Sequence, residues 1–128
     1  MRVLIDTHIY VWATLDDPRL NKRARGILNS TENELFFSLA SLWELSIKIQ
    51  SGKLRTLTSS IAFLHDSLAA NRVSVLPVRY DDLLSLEQLD AHHRDPFDRI
   101  LVAQAIANDL KLLTEDKQIK LYPVQTVW

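Results

Sequence analysis

Asp95-Pro96-Phe97-Asp98-Arg99 runs straight into the apolar stretch Ile100 to Ala107, and Lys111-Leu112-Leu113-Thr114 follows shortly after. An aspartate before a proline is a favoured helix start. Its carboxylate accepts backbone N–H groups, and proline suits the first helical position. Pro96 to Asp109 therefore reads as the strongest helix in the chain, and Lys111 to Thr114 as a strand behind it. A helix that feeds a short apolar strand is the repeating unit of an α/β fold.

The same alternation extends in both directions. Val3-Leu4-Ile5 reads as a buried strand and Thr7 to Thr14 as a short helix. Asp17-Pro18 marks a turn or a new helix start, and Leu20, Ala24, Ile27 and Leu28 form a helical apolar stripe. Leu35 to Ser38 is a second strand. Leu42, Leu45, Ile47 and Ile49 dominate a third helix, which Gly52 can end. Ser59 or Ser60 can cap a fourth helix carrying Ile61, Leu64, Leu68 and Ala69. Val73 to Val78 is a strand that meets Pro77, Tyr80 to Leu89 is helical, Asp90 to Arg94 is a polar loop, and Val124 to Trp128 is a last strand. The whole pattern predicts a three-layer α/β/α sandwich with a mostly parallel central sheet, in one domain spanning residues 1–128.

Composition narrows the function. A chain of 128 residues, 47% of them hydrophobic, can bury a real core. There is no cysteine, which excludes a disulfide framework and a thiolate zinc site. Gly26 and Gly52 are the only glycines, which excludes a glycine-rich phosphate loop. Asp6 interrupts any signal-peptide reading, and no apolar stretch is long enough to span a bilayer, so a cytoplasmic protein is expected. A net charge of −1 gives no global attraction to nucleic acid. The local cluster Arg19, Lys22, Arg23 and Arg25 is either a solvated helix face or a phosphate-contact strip.

Four acids arrive where strands hand over to helices or turns: Asp6, Glu44, Asp98 and Asp116. In an open α/β sheet, ligands bind beyond the carboxyl ends of the strands, so all four can face one rim. Two unit charges at 4 Å repel by about 4 kcal/mol at an effective dielectric near 20, so such a cluster needs protons, basic partners or a metal. An all-oxygen set suits a hard divalent cation, Mg²⁺ or Mn²⁺. Each acid also has a structural alternative. Asp6 can cap the helix from Thr7, Ser41 and Glu44 match a capping box, Asp95 is an N-cap, Asp98 can favour the helix dipole, and Asp116 can sit in a turn. Among the histidines, His8 is expected to pack or be exposed near Asp6, and His92-His93 either contact substrate or are solvated. Trp12, Trp43 and Trp128 are expected in the core or an interface rather than as base-stacking platforms.

Taken together, these runs resemble one family. Val3-Leu4-Ile5-Asp6-Thr7-His8, Ser41-Leu42-Trp43-Glu44, Asp95-Pro96-Phe97-Asp98-Arg99 with Ala103 and Ala105, and Leu112-Leu113-Thr114-Glu115-Asp116 are similar to the four acidic motifs of PIN domains. Within that family the chain looks most like the VapC-type toxins of toxin–antitoxin pairs. The resemblance implies an Mg²⁺- or Mn²⁺-dependent endoribonuclease acting on RNA, an antitoxin that inserts a peptide near the acidic groove, and a homodimer. By position it implies Asp6, Glu44, Asp98 and Asp116 as metal-binding acids and Thr114 as a supporting polar residue. Asp95 belongs to the third motif without an assigned metal contact. Arg99 is expected to orient an acid or phosphate, or to form a surface salt bridge. Exposed parts of the apolar helices Leu20–Leu28 and Ile61–Leu68 are the candidate pairing surfaces. Two alternatives stand beside this reading: a nuclease for structured DNA, and a non-catalytic PIN-like binding module whose acids cap helices. A haloacid-dehalogenase-type phosphotransferase is disfavoured, because His8 stands where that motif needs a second aspartate.

Overall fold

A computed structural model describes residues 1–54, 57 and 60–128 of the chain. The chain order is β1 (Arg2–Ile5), α1 (Thr7–Thr14), α2 (Lys22–Asn29), β2 (Glu34–Ser38), α3 (Leu39–Gln50), α4 (Ile61–Ala70), β3 (Val73–Leu76), α5 (Tyr80–Glu87), α6 (Pro96–Ala107), β4 (Lys111–Leu113) and β5 (Thr126–Val127). A 3₁₀ turn, Ile119–Leu121, lies between the last two strands. The five strands pair in the order β3-β2-β1-β4-β5, and every pairing is parallel. The expected α/β/α sandwich is thus the observed architecture.

β1 lies in the middle of the sheet, and Val3, Leu4 and Ile5 are fully buried. Their alternation sends them to opposite layers. Val3 and Ile5 pack with Ile9 and Tyr10 of α1, Ala24 and Ile27 of α2, Leu42 and Leu45 of α3, and Leu64 and Leu68 of α4. Leu4 packs with Leu101, Val102 and Ala105 of α6, with Leu112, and with Ile119 and Tyr122. A central strand covered on both faces explains why its sequence reads as an unbroken apolar run.

The helix ends follow local chemistry. Asp17-Pro18 is a turn, and α2 starts later, where the Asn21 side chain accepts from the Ala24 N–H. Gly52, at φ 77°, ends α3 in a Schellman arrangement: its N–H reaches the Ile49 carbonyl, and the Lys53 N–H reaches the Lys48 carbonyl. Ser60 occupies the N-cap position of α4, whereas Ser59 lies outside the described residues. β3 stops before Pro77.

The apolar stripes of α2 and α4 belong largely to the core: Leu20, Ala24, Ile27, Leu64 and Leu68 are all buried. Only their exposed remainder is left to pair with a second copy. Of the large apolar residues on α4, Ile61 and Phe63 stay exposed; the larger exposed apolar sets lie on α3 (Leu39, Trp43, Ile47) and α5 (Tyr80, Leu83, Leu84). No helix among the described residues is long and apolar enough to cross a membrane.

Because Leu4 is fully enclosed between β1's neighbours and α6, truncation there leaves a cavity in the smaller of these two clusters. Leu4→Ala is expected to lower unfolding stability by about 2–5 kcal/mol, read from urea unfolding at unchanged slope.

Candidate active site

The sheet order reverses between β1 and β4, and in such folds the crevice beyond the strand ends opens at that point. Asp6 directly follows β1 and Thr114 directly follows β4. The ladder continues past both strands: the Asp6 N–H donates to the Leu113 carbonyl and the Thr114 N–H to the Val127 carbonyl. The two side chains are therefore held rigidly and side by side. Thr114 Oγ1 donates to Asp6 Oδ2 at 2.6 Å and accepts the Asp116 N–H at 3.1 Å.

Asp6 stands at the N-cap position of α1, yet its side chain makes no capping bond. Its carboxylate is only 1% exposed, and Oδ1 is buried without a hydrogen-bond partner. His8 Nδ1 lies 3.3 Å from that oxygen, near enough for charge attraction but not aligned as a hydrogen bond. Burial pulls the His8 pKa down, but attraction to Asp6, Glu115 and Asp98 outweighs it and leaves it above its ordinary value.

Glu44 sits on the second turn of α3. The capping-box reading of Ser41 and Glu44 is overturned: the helix starts earlier, and Ser38 is its cap, accepting from the Ala40 N–H at 3.0 Å. Ser41 is buried inside the helix, where its Oγ accepts from Thr7 Oγ1 at 2.7 Å and ties α3 to α1. Glu44 is thereby free of capping. Its Oε2 lies 3.3 Å from Lys48 Nζ, one turn along, while Oε1 is buried and unpartnered.

Asp95 caps α6 as expected: its Oδ1 accepts the Phe97 N–H at 2.9 Å, and Pro96 follows at the first helical position. That places Asp98 in the first turn with its carboxylate turned inward. Burial is the main force raising its pKa, and repulsion from Asp6, Asp95 and Glu44 adds to it, against attraction to His93; the result is about 7. Asp98 thus feels three neighbouring acids at once.

The histidine that sequence reasoning left undecided is central. His93 Nε2 lies 2.9 Å from Asp116 Oδ2 and 3.1 Å from Asp98 Oδ2. Burial works to raise the Asp116 pKa, but the His93 contact and the Gln118 N–H outweigh it and hold the carboxyl below its usual range. His92, by contrast, stacks edge-on against Tyr122. A histidine two residues before a helix-starting aspartate was the available signal, but only the loop's path aims its ring at Asp116. His93, Asp98 and Asp116 each offer one ligand atom, all within 4.8 Å of one another, close enough to share an ion.

Among the described residues, Arg99 reaches no carboxylate. Its guanidinium donates to the Asp90 carbonyl at 2.8 Å and to the Tyr122 hydroxyl at 3.1 Å, because the first turn of α6 faces the preceding loop. The basic cluster is mostly committed to local structure. Arg19 pairs with Asp17 and stacks over Trp12, Arg25 pairs with Asp16, and Arg23 donates to the Trp128 carbonyl. Trp12 and Trp128 pack against the core, while Trp43 is 64% exposed with Phe97 edge-on to it.

With this geometry in hand, comparison places the chain. The PIN domain family model matches residues 3–124, and the chain belongs to that family. It is similar to a chain of the VapBC2 complex of Rickettsia felis bound to a promoter DNA fragment, with 18% identity, TM-score 0.76, and coverage of 99% of this chain and 98% of that one. It is also similar to chains of DNA-bound VapBC from Salmonella typhimurium (17% identity, TM-score 0.72, coverage 99% and 97%) and of VapBC-1 from nontypeable Haemophilus influenzae (16%, 0.70, 99% and 97%). No curated protein sequence matches the chain.

The pKa of Asp98 lies above that of the unfolded chain, so its proton stabilises the fold. That stability is complete below about pH 4 and is lost as pH rises through about 7, where the folded-state proton leaves. Asp98→Asn is therefore expected to raise the melting temperature of the metal-free protein by several degrees at pH 8 and hardly at all at pH 4. An equal gain at both pH values in thermal melts with chelator present would contradict the electrostatic cause.

Proposed function

We propose that this chain is an Mg²⁺- or Mn²⁺-dependent endoribonuclease, the toxin of a type II toxin–antitoxin pair. The observation that carries the reading is the state of Asp6 and Glu44. Among the described residues, each has a buried carboxylate oxygen with no hydrogen-bond partner, beside an Asp98 that feels repulsion from Asp6, Asp95 and Glu44. Leaving such groups unsatisfied is costly. A hard divalent cation satisfies all-oxygen donors of this kind.

In this reading Asp6, Glu44, Asp98 and Asp116 hold the ion. When bound, a divalent cation supplies a polarised water and offsets phosphate charge. Thr114 positions Asp6 through its hydroxyl and Asp116 through that residue's backbone N–H. Lys48 screens one Glu44 oxygen and leaves the other toward the site. Asp95 starts the helix that carries Asp98 and holds no ion. His8, raised toward its charged form between Asp6 and Glu115, is placed to attract a phosphodiester.

The reading carries two protein partners, a cognate antitoxin and a second copy of the chain, in the cytoplasm. Leu39, Trp43 and Ile47 recur every four residues along α3 and are 50%, 64% and 44% exposed. They form one apolar stripe that borders Glu44 and, through Phe97, the start of α6. An inserted antitoxin segment is supported by that stripe's position beside the acids. A binding module whose acids only cap helices fits less well, since neither Asp6 nor Glu44 makes a cap.

RNA cleavage assays with Mg²⁺ or Mn²⁺ test the reading. Asp6→Asn and Asp98→Asn are each expected to lower the rate by about 100-fold or more, beyond the 10–100-fold typical of groups behind the ligands. Undiminished cleavage in both variants defeats the assignment. Preferential cleavage of flap DNA in direct competition would transfer the activity to DNA.

A further inference from the structure

The ring of His93 is fixed from both sides. The Asp95 backbone N–H donates to His93 Nδ1 at 3.0 Å. A backbone amide can only donate, so Nδ1 presents its lone pair and the ring proton sits on Nε2. That N–H donates to Asp116 Oδ2 at 2.9 Å, and Asp98 Oδ2 lies 3.1 Å from the same nitrogen. The backbone of His93 is held as well: its own N–H donates to the Tyr122 hydroxyl at 2.9 Å, and Arg99 donates to the same hydroxyl at 3.1 Å. Tyr122 is itself buried in the α6 layer.

A histidine that ligates a metal through Nε2 must present a lone pair there. Its proton would then move to Nδ1 and face the Asp95 N–H, two donors 3.0 Å apart. Ligation is therefore incompatible with this loop, although the three side chains are close enough to share an ion. The Nε2–H instead fills the gap between two carboxylates, the place a cation would take.

We propose that His93 is a built-in competitor for the divalent cation at Asp98 and Asp116, not one of its ligands. Its N–H occupies the place of a cation while the site is metal-free, and a cation must displace it to gain both oxygens. Metal affinity is accordingly lower than four carboxylates would give alone. Tyr122 and Arg99 are positioning residues that hold the competitor in place. The inference rests on the cation-site reading of the same acids.

Calorimetric titration of the full chain with Mn²⁺ separates the two. His93→Ala is expected to bind Mn²⁺ about tenfold tighter than wild type, on the scale by which neighbouring groups tune metal ligands. Tyr122→Phe, which loosens the loop without touching an acid, is expected to fall between. In wild type, ¹⁵N spectra of the metal-free protein should show the His93 proton on Nε2, and Mn²⁺'s diamagnetic counterpart Mg²⁺ should shift that signal. Unchanged or weaker Mn²⁺ binding in folded His93→Ala overturns the competitor role while leaving the cation site intact. No Mn²⁺ uptake by either protein overturns both. If His93→Ala does not fold, Tyr122→Phe decides alone: tighter binding supports the role, and unchanged or weaker binding overturns it.

Discussion

The Thr114 hydroxyl, donating to Asp6 across the ends of β1 and β4, is the contact on which the rest of the site depends. It lies where the strand order reverses, the point at which such sheets bind ligands beyond their strand ends. Both residues are fully or almost fully buried and their backbones continue the ladder. The hydroxyl answers one Asp6 oxygen and leaves the other without a partner. The same oxygen of Thr114 receives the Asp116 N–H, so one side chain sets the spacing between the first acid and the last.

Around that contact the protein gathers negative charge where little water reaches. The fold answers the resulting repulsion only partly. Lys48 meets Glu44, His8 meets Asp6, and His93 meets Asp98 and Asp116. What is left over appears at Asp98, whose carboxyl is pushed up to about 7 because burial and three neighbouring acids act on it together. The two cores divide the labour of holding this arrangement. The larger layer fixes α1 and α3, and hence Asp6 and Glu44; the layer around Leu4, Leu101 and Tyr122 fixes α6 and the loop before it.

Features decided by near neighbours in the chain were legible in advance. The Asp95-Pro96 cap, the αL glycine after α3, and the unbroken apolar run of β1 each depend on contacts within a few residues or on simple burial. The capping box at Ser41 failed for an instructive reason. The spacing was correct, but Ser38 lay three residues upstream at the strand's end and took the cap, while Thr7 claimed Ser41 from another helix. Arg99 likewise makes contacts that its neighbours in sequence do not suggest. Beside Asp98 in sequence, it faces away from it on the helix and serves the loop and Tyr122.

The sequence by itself determined the α/β alternation, the parallel sheet and the acids at its rim, because hydrophobic period and helix-start chemistry are local. Tertiary structure alone decided which carboxylates remain unsatisfied, which cations are already committed, and that His93 enters the site. Those outcomes turn on residues far apart in the chain. His93 meets Asp116 across 23 positions and Thr114 meets Asp6 across 108, and no local pattern encodes a contact that only the packed sheet brings into range.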